Sequence, residues 1–133
     1  MLERIWKARR DERGFTLIEL IMVLVILGIL LALALPSYLG TRRKAYLAEA
    51  DQQLQEMRTQ AWLRYVEVTS FDGVTSFATP APTANWEFAW GTCNGTGPCT
   101  MTATGRTGSP VQGAAVTLVL SNTGSASLTS TGF

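Results

Sequence analysis

The chain has 133 residues, two cysteines, no histidine and a formal net charge of +1, a length that suits one modest domain plus a helical anchor. Without histidine, His-based triads, HExxH metal sites and imidazole proton relays are excluded, and two cysteines cannot build a four-ligand Cys/His zinc site. No P-loop and no strand followed by GxGxxG is present, so no catalytic constellation is visible and the chain reads as a non-enzyme without a cofactor or metal site.

The first fourteen residues, MLERIWKARRDERG, are short and strongly charged. Five cations against three carboxylates give Met1–Gly14 a charge of +2, and the remaining residues carry −1. An ordinary secretory signal places its apolar region before the cut, with small residues at the junction. Here the apolar region comes after Gly14 and would be retained. A cytoplasmic tail on a signal anchor is the plainer reading of the same residues. The leader cations favour a cytoplasmic N-terminus by the positive-inside tendency, although Arg42, Arg43 and Lys44 on the far side dilute that argument.

Phe15 to Leu35 forms a run of twenty-one residues interrupted only by Thr16, Glu19 and Gly28. Roughly 20 apolar residues suffice to span a bilayer as a helix. Glu19 is the anomaly, because a carboxylate inside such a helix costs several kcal/mol unless it is neutralised, paired or near the interface. It reads either as a charge tolerated one turn from the end of a span or as a charge held for a partner. A cut before Phe15 would create an α-ammonium four residues from Glu19, on the same helical face. The two charges could then neutralise each other within one chain or between neighbours. Gly28 lowers helix propensity by about 1 kcal/mol relative to alanine, and Pro36 removes a backbone hydrogen bond. Both either mark the end of the span or let it bend.

Gly14 followed by Phe15-Thr16-Leu17-Ile18-Glu19 and a long apolar run resembles the N-terminus of type IV pilins and pseudopilins. The resemblance covers about Gly14 to Tyr46 and continues only as a likeness of layout. It implies cleavage between Gly14 and Phe15 by a prepilin peptidase and N-methylation of Phe15. It also implies pairing of Glu19 with the Phe15 ammonium of a neighbouring copy during assembly. Gly28 and Pro36 fall where pilins often carry a glycine and a helix-bending proline, which implies local flexibility there. The partners implied are other copies of the chain in a homopolymer, the peptidase, a pilus assembly platform and, before assembly, the inner membrane. The expected location is the inner membrane, single-pass with the N-terminus cytoplasmic, and afterwards an extracellular pilus.

Ser37 to Val66 reads as an amphipathic continuation of the helix. Leu47, Ala50, Leu54, Met57, Ala61 and Tyr65 recur at three- and four-residue steps, with Trp62 and Val66 widening the stripe. A helix over 15–66 would measure roughly 78 Å at about 1.5 Å per residue. Thr69 to Asn85, with Gly73, Pro80 and Pro82, reads as an irregular connection. From Trp86 the pattern turns to β: Trp86, Phe88 and Trp90 alternate with Glu87 and Ala89. Further strands are expected over 100–104, 114–120 and 125–130, with a turn at Asn122-Thr123-Gly124. The expected fold is α+β, a long N-terminal helix packed on a small four-stranded antiparallel sheet. The expected divisions are a removed leader (1–14), a transmembrane or filament-core helix (15–41), an amphipathic helix on the head (42–66), a connecting loop (67–85) and the sheet head (86–133).

Cys93 and Cys99 bracket NGTGP between the first two strands. In an oxidising compartment such a pair reads as a disulfide. Two reduced thiols or a metal pair are the alternatives, and the lack of neighbouring cations disfavours a redox role. The best-known pilins close a longer loop nearer the C-terminus, so this chain departs from them. Asn94-Gly95-Thr96 also fits the N-glycosylation pattern, a short motif that the turn explains without sugar.

Past Val66 the only base is Arg106, against Glu67, Asp72 and Glu87, so the head has no direct nucleic-acid footprint. The leading reading is a type IV pilus subunit, a major one by its small size, serving twitching motility, adhesion or DNA uptake. A type II secretion pseudopilin or a minor pilin is the alternative. No acidic residue follows Glu87, which disfavours a C-terminal calcium loop of the kind that major pseudopilins carry. A signal-anchored binding module that never polymerises is a third reading, and a DNA receptor a fourth.

Overall fold

The computed structural model describes residues 14–133, and Met1 to Arg13 of the expected leader lie outside the described residues. The elements are helix α1 (Leu17–Val68), a 3-10 turn (Val74–Ser76) and strands β1 (Trp86–Cys93), β2 (Cys99–Gly105), β3 (Ala115–Leu120) and β4 (Ala126–Thr131). The chain divides into two compact units, Met1–Leu39 and Gly40–Phe133.

In the first unit the described chain is helical from Leu17. Its apolar side chains point in every direction and find no cover among the described residues, from 46% exposed at Val23 to 76% at Leu17. A helix of this length and composition is able to cross a membrane. Pro36 sits inside α1, which continues past it to Val68.

The second unit is the α+β arrangement expected. Its sheet has the order β1-β2-β3-β4, and every neighbouring pair is antiparallel. Helix residues Ala50, Leu54, Met57 and Ala61, spaced by three and four, are fully buried. They meet the inward side chains of the sheet: Trp86 and Phe88 from β1, Met101 and Ala103 from β2, Val116, Leu118 and Leu120 from β3. The period of two along each strand delivers these residues to one face. Two tryptophans satisfy their indole N–H groups on carbonyls: Trp86 Nε1 donates to Tyr46 at 3.1 Å and Trp90 Nε1 to Phe77 at 3.0 Å.

Four details differ from the sequence expectation. α1 starts at Leu17, because Thr16 acts as its cap. It ends at Val68, and the stripe closes earlier than expected, leaving Val66 64% exposed. The connection after the helix is not merely a loop, since Phe71 and Val74 are fully buried and complete the core. Strand β4 is exposed along its whole length, although Leu128 pairs with buried Leu118.

The helix stops at Thr69, whose φ of 57° lies in the left-handed region. Glycine usually takes that position after a helix, and a β-branched residue there is strained. Thr69→Gly is therefore expected to stabilise the second unit by about 1 kcal/mol. Leu54→Ala is expected to cost about 2–5 kcal/mol, because it empties a fully buried site. Leu63→Ala, on an exposed side chain, should stay within about 0.5 kcal/mol. Urea unfolding of the detergent-solubilised chain, followed by tryptophan fluorescence, checks all three.

Candidate processing and assembly segment

Gly14, Phe15 and Thr16 precede the helix. The Thr16 carbonyl accepts the Leu20 N–H at 3.2 Å, and the Thr16 hydroxyl oxygen accepts the Glu19 N–H at 3.3 Å. That is N-cap geometry: a hydroxyl satisfies an N–H that the first helical turn leaves without a partner. Thr16 and Glu19 have the T-x-x-E spacing of a capping box. The cap sets the first helical residue at Leu17, so the Gly14–Phe15 bond stays outside the helix. Phe15 is 74% exposed. A Cβ built at Gly14 meets nothing within 4 Å, so nothing within the described chain requires glycine there.

Glu19 is exposed in the first turn of α1. There it also complements the positive end of the helix dipole. In the uncut chain the Phe15 nitrogen is a peptide nitrogen, so the ammonium that could face Glu19 does not yet exist. Gly28 likewise has open space at its Cβ position.

Cys93 and Cys99 form a disulfide and are direct cross-strand partners at the end of the β1–β2 ladder. The turn they close is tied to the segment after the helix. Asp72 Oδ1 accepts the Gly95 N–H at 2.8 Å, Asp72 Oδ2 accepts the Ser70 hydroxyl at 2.9 Å, and the Phe71 N–H donates to the Gly95 carbonyl at 2.7 Å. The Gly95 amide first, and then the Ser70 hydroxyl, hold the Asp72 carboxyl below its ordinary value of 3.8.

The family profile described as "Prokaryotic N-terminal methylation motif" matches residues 9–35. The chain therefore carries an N-terminal segment of the type IV pilin and pseudopilin kind. It is 39% identical over 51 residues to the type II secretion system core protein G of Dickeya chrysanthemi, covering 38% of this chain and 33% of that protein. It is 34% identical over 74 residues to a fimbrial protein of Pseudomonas aeruginosa, covering 56% of this chain and 46% of that one. The type IV major pilin protein PilA of Myxococcus xanthus (strain DK1622) is 38% identical over 56 residues, covering 42% and 26%. The matched stretch spans less than half the length of each of these three relatives. No solved structure matches the chain at a significant level.

The structure places Gly14, Phe15 and Glu19 on one short segment, and Cys93 and Cys99 at the far end of β1 and β2. Thr16 contributes beyond the residues expected, and its T-x-x-E spacing with Glu19 is the local signal for it. The Asp72–Gly95 tie had no local signal, because its partners lie 23 positions apart.

Two outcomes are expected. Thr16→Ala should weaken the first turn by about 1 kcal/mol, seen as faster amide exchange at Glu19 and Leu20. The Asp72 contribution follows from the sign of its shift. A carboxyl lowered in the folded state adds stability that is present above its ordinary pKa and is lost as the pH falls through the folded value. The Gly95 amide resonance is thus expected to titrate with a midpoint below 3.8; an amide shift flat through that range contradicts the tie.

Proposed function

We propose that the chain is a structural subunit of a type IV pilus, stored in the inner membrane and polymerised into a surface filament. The observation that supports this most is the order of features from Gly14 on. An exposed, non-helical Gly14–Phe15 bond leads through a capped turn carrying Glu19 into a helix whose apolar faces are uncovered. Prepilin peptidase cuts between Gly14 and Phe15 and methylates Phe15. The five leader cations keep the N-terminus in the cytoplasm. On assembly the helix exchanges lipid for the helices of other copies, delivered by the assembly platform. Glu19 then meets the Phe15 ammonium of a neighbour, so that neither charge is left alone in an apolar core. Gly28, with its open flank, and Pro36 let the segment adjust during that exchange. The finished filament stands at the cell surface and serves twitching motility, adhesion or DNA uptake, with this small chain as a major subunit.

A second reading is a type II secretion pseudopilin, favoured by the likeness to core protein G. It uses the same cut and the same pairing of charges. The two readings differ in where the polymer is found.

Glu19→Ala is expected to leave membrane insertion intact and to lower filament yield by about a hundredfold or more, since one buried charge then lacks its partner at a cost of about 3–5 kcal/mol. Quantifying sheared filaments against membrane-bound protein reads this directly, and normal filaments would sink the pairing. Gly14→Val should accumulate the heavier precursor. Because the space at Gly14 is open within the chain, retention reports on the peptidase rather than on folding.

A further inference from the structure

We propose that Asn94 is a latent deamidation site, kept closed by Asp72 through its hydrogen bond to the Gly95 amide. The proposal stands apart from the filament reading. Asn94-Gly95 is the single Asn-Gly pair in the chain, and glycine leaves the nitrogen after the asparagine sterically open. The reaction needs only water. The Gly95 nitrogen attacks the Asn94 side-chain carbonyl carbon, and a carbon–nitrogen bond forms. The bond from that carbon to the side-chain nitrogen breaks, and ammonia leaves with the proton shed by Gly95. Water then opens the cyclic imide at either carbonyl and leaves aspartate or isoaspartate.

Two requirements decide the rate. The Gly95 nitrogen must give up its proton, and its peptide plane must turn so that the nitrogen faces the side chain. The folded chain opposes both. The proton is engaged by Asp72 Oδ1 at 2.8 Å, and a carboxylate acceptor favours the protonated amide. The same peptide neighbourhood is held on its other side by the Phe71 N–H on the Gly95 carbonyl at 2.7 Å. The Gly97 N–H donates to the Asn94 carbonyl at 3.1 Å, and the Cys93–Cys99 bond closes the turn around it. Asp72 does not act as the base for this step, because a carboxyl held below its ordinary range is a poor proton acceptor. Asn94 itself is exposed, so water is not what limits the reaction.

The product works against its own guard. Hydrolysis replaces a neutral amide with a carboxylate on the residue next to the one whose amide Asp72 holds, and like charges repel. Isoaspartate also inserts one extra backbone atom into a small disulfide-closed ring. A single event therefore loosens the tie between the turn and the segment at 70–72, and nothing in the reaction reverses it.

The test incubates the purified full-length chain in detergent at mildly alkaline pH and follows Asn94 by peptide mass spectrometry, with Asn85 and Asn122 as internal references. The unaltered chain is expected to deamidate at Asn94 about tenfold or more slowly when folded than when reduced and denatured, the scale set by a hydrogen bond to a charged acceptor. Asp72→Ala, checked by circular dichroism to be folded, should speed the reaction at Asn94 by about tenfold. Equal rates in the folded and denatured chain overturn the proposal, as does a folded Asp72→Ala that keeps the original rate. The folded-versus-denatured comparison uses the unaltered chain, so equal rates overturn the proposal even where Asp72→Ala loses its fold.

Discussion

A helix that is apolar on every face has no stable place in water. Burying one leucine- or isoleucine-sized side chain is worth about 1.5–3 kcal/mol, and α1 leaves such residues uncovered from Leu17 to Leu39. Among the described residues of its own unit nothing packs on them. In the proposed function that surface is taken up by lipid and then by helices of other copies, and the features at its N-terminal end make sense in that light. Glu19 is the one carboxylate in the run, a group that hydrocarbon accepts only with a partner. An ammonium made by cutting before Phe15 is a partner that appears only once the leader is gone. In the proposed function, cleavage, charge pairing and helix burial form one sequence of events.

The second unit solves a different problem. A four-stranded sheet this small has one face to bury, and Ala50, Leu54, Met57 and Ala61 supply the cover. That cover reaches β1, β2 and β3 but not β4, whose side chains all remain exposed. The remaining order comes from staples outside the stripe. Phe71 and Val74 plug the core from the segment after the helix, the Cys93–Cys99 bond ends the β1–β2 ladder, and Asp72 fastens that end to the same segment. Two of these three staples sit in the few residues after Val68, so a short irregular stretch contributes more to the head than its composition suggests.

Much of this was legible in the residues. The apolar run, the three-and-four spacing of the stripe, the alternation at Trp86, Phe88 and Trp90 and the cysteine pair each follow from a local period or spacing, and each is found where expected. What was not legible depended on contacts distant in sequence. Phe71 and Val74 sit among Ser, Asp, Gly and Thr, so no periodicity marks them as core. Val66 continues the stripe on paper but lies past the last turn that meets the sheet. The late start of α1 is a different case, since Thr16-x-x-Glu19 announces the cap inside an apolar run that reads as helix from Phe15. Glu19 stands out by itself as the one carboxylate in an apolar run, whereas the reading of Gly14 and Phe15 as a processing site rests on the resemblance.

The account turns on one exchange, in which the same helix surface leaves lipid for protein once the leader has been removed. Mass spectrometry of filaments sheared from cells tests it most directly. The account predicts that this chain dominates the sheared material and begins at a methylated Phe15. Sheared filaments in which it is absent or present only in traces contradict the role as a major pilus subunit. Chain found everywhere with Met1 to Gly14 still attached contradicts the exchange itself.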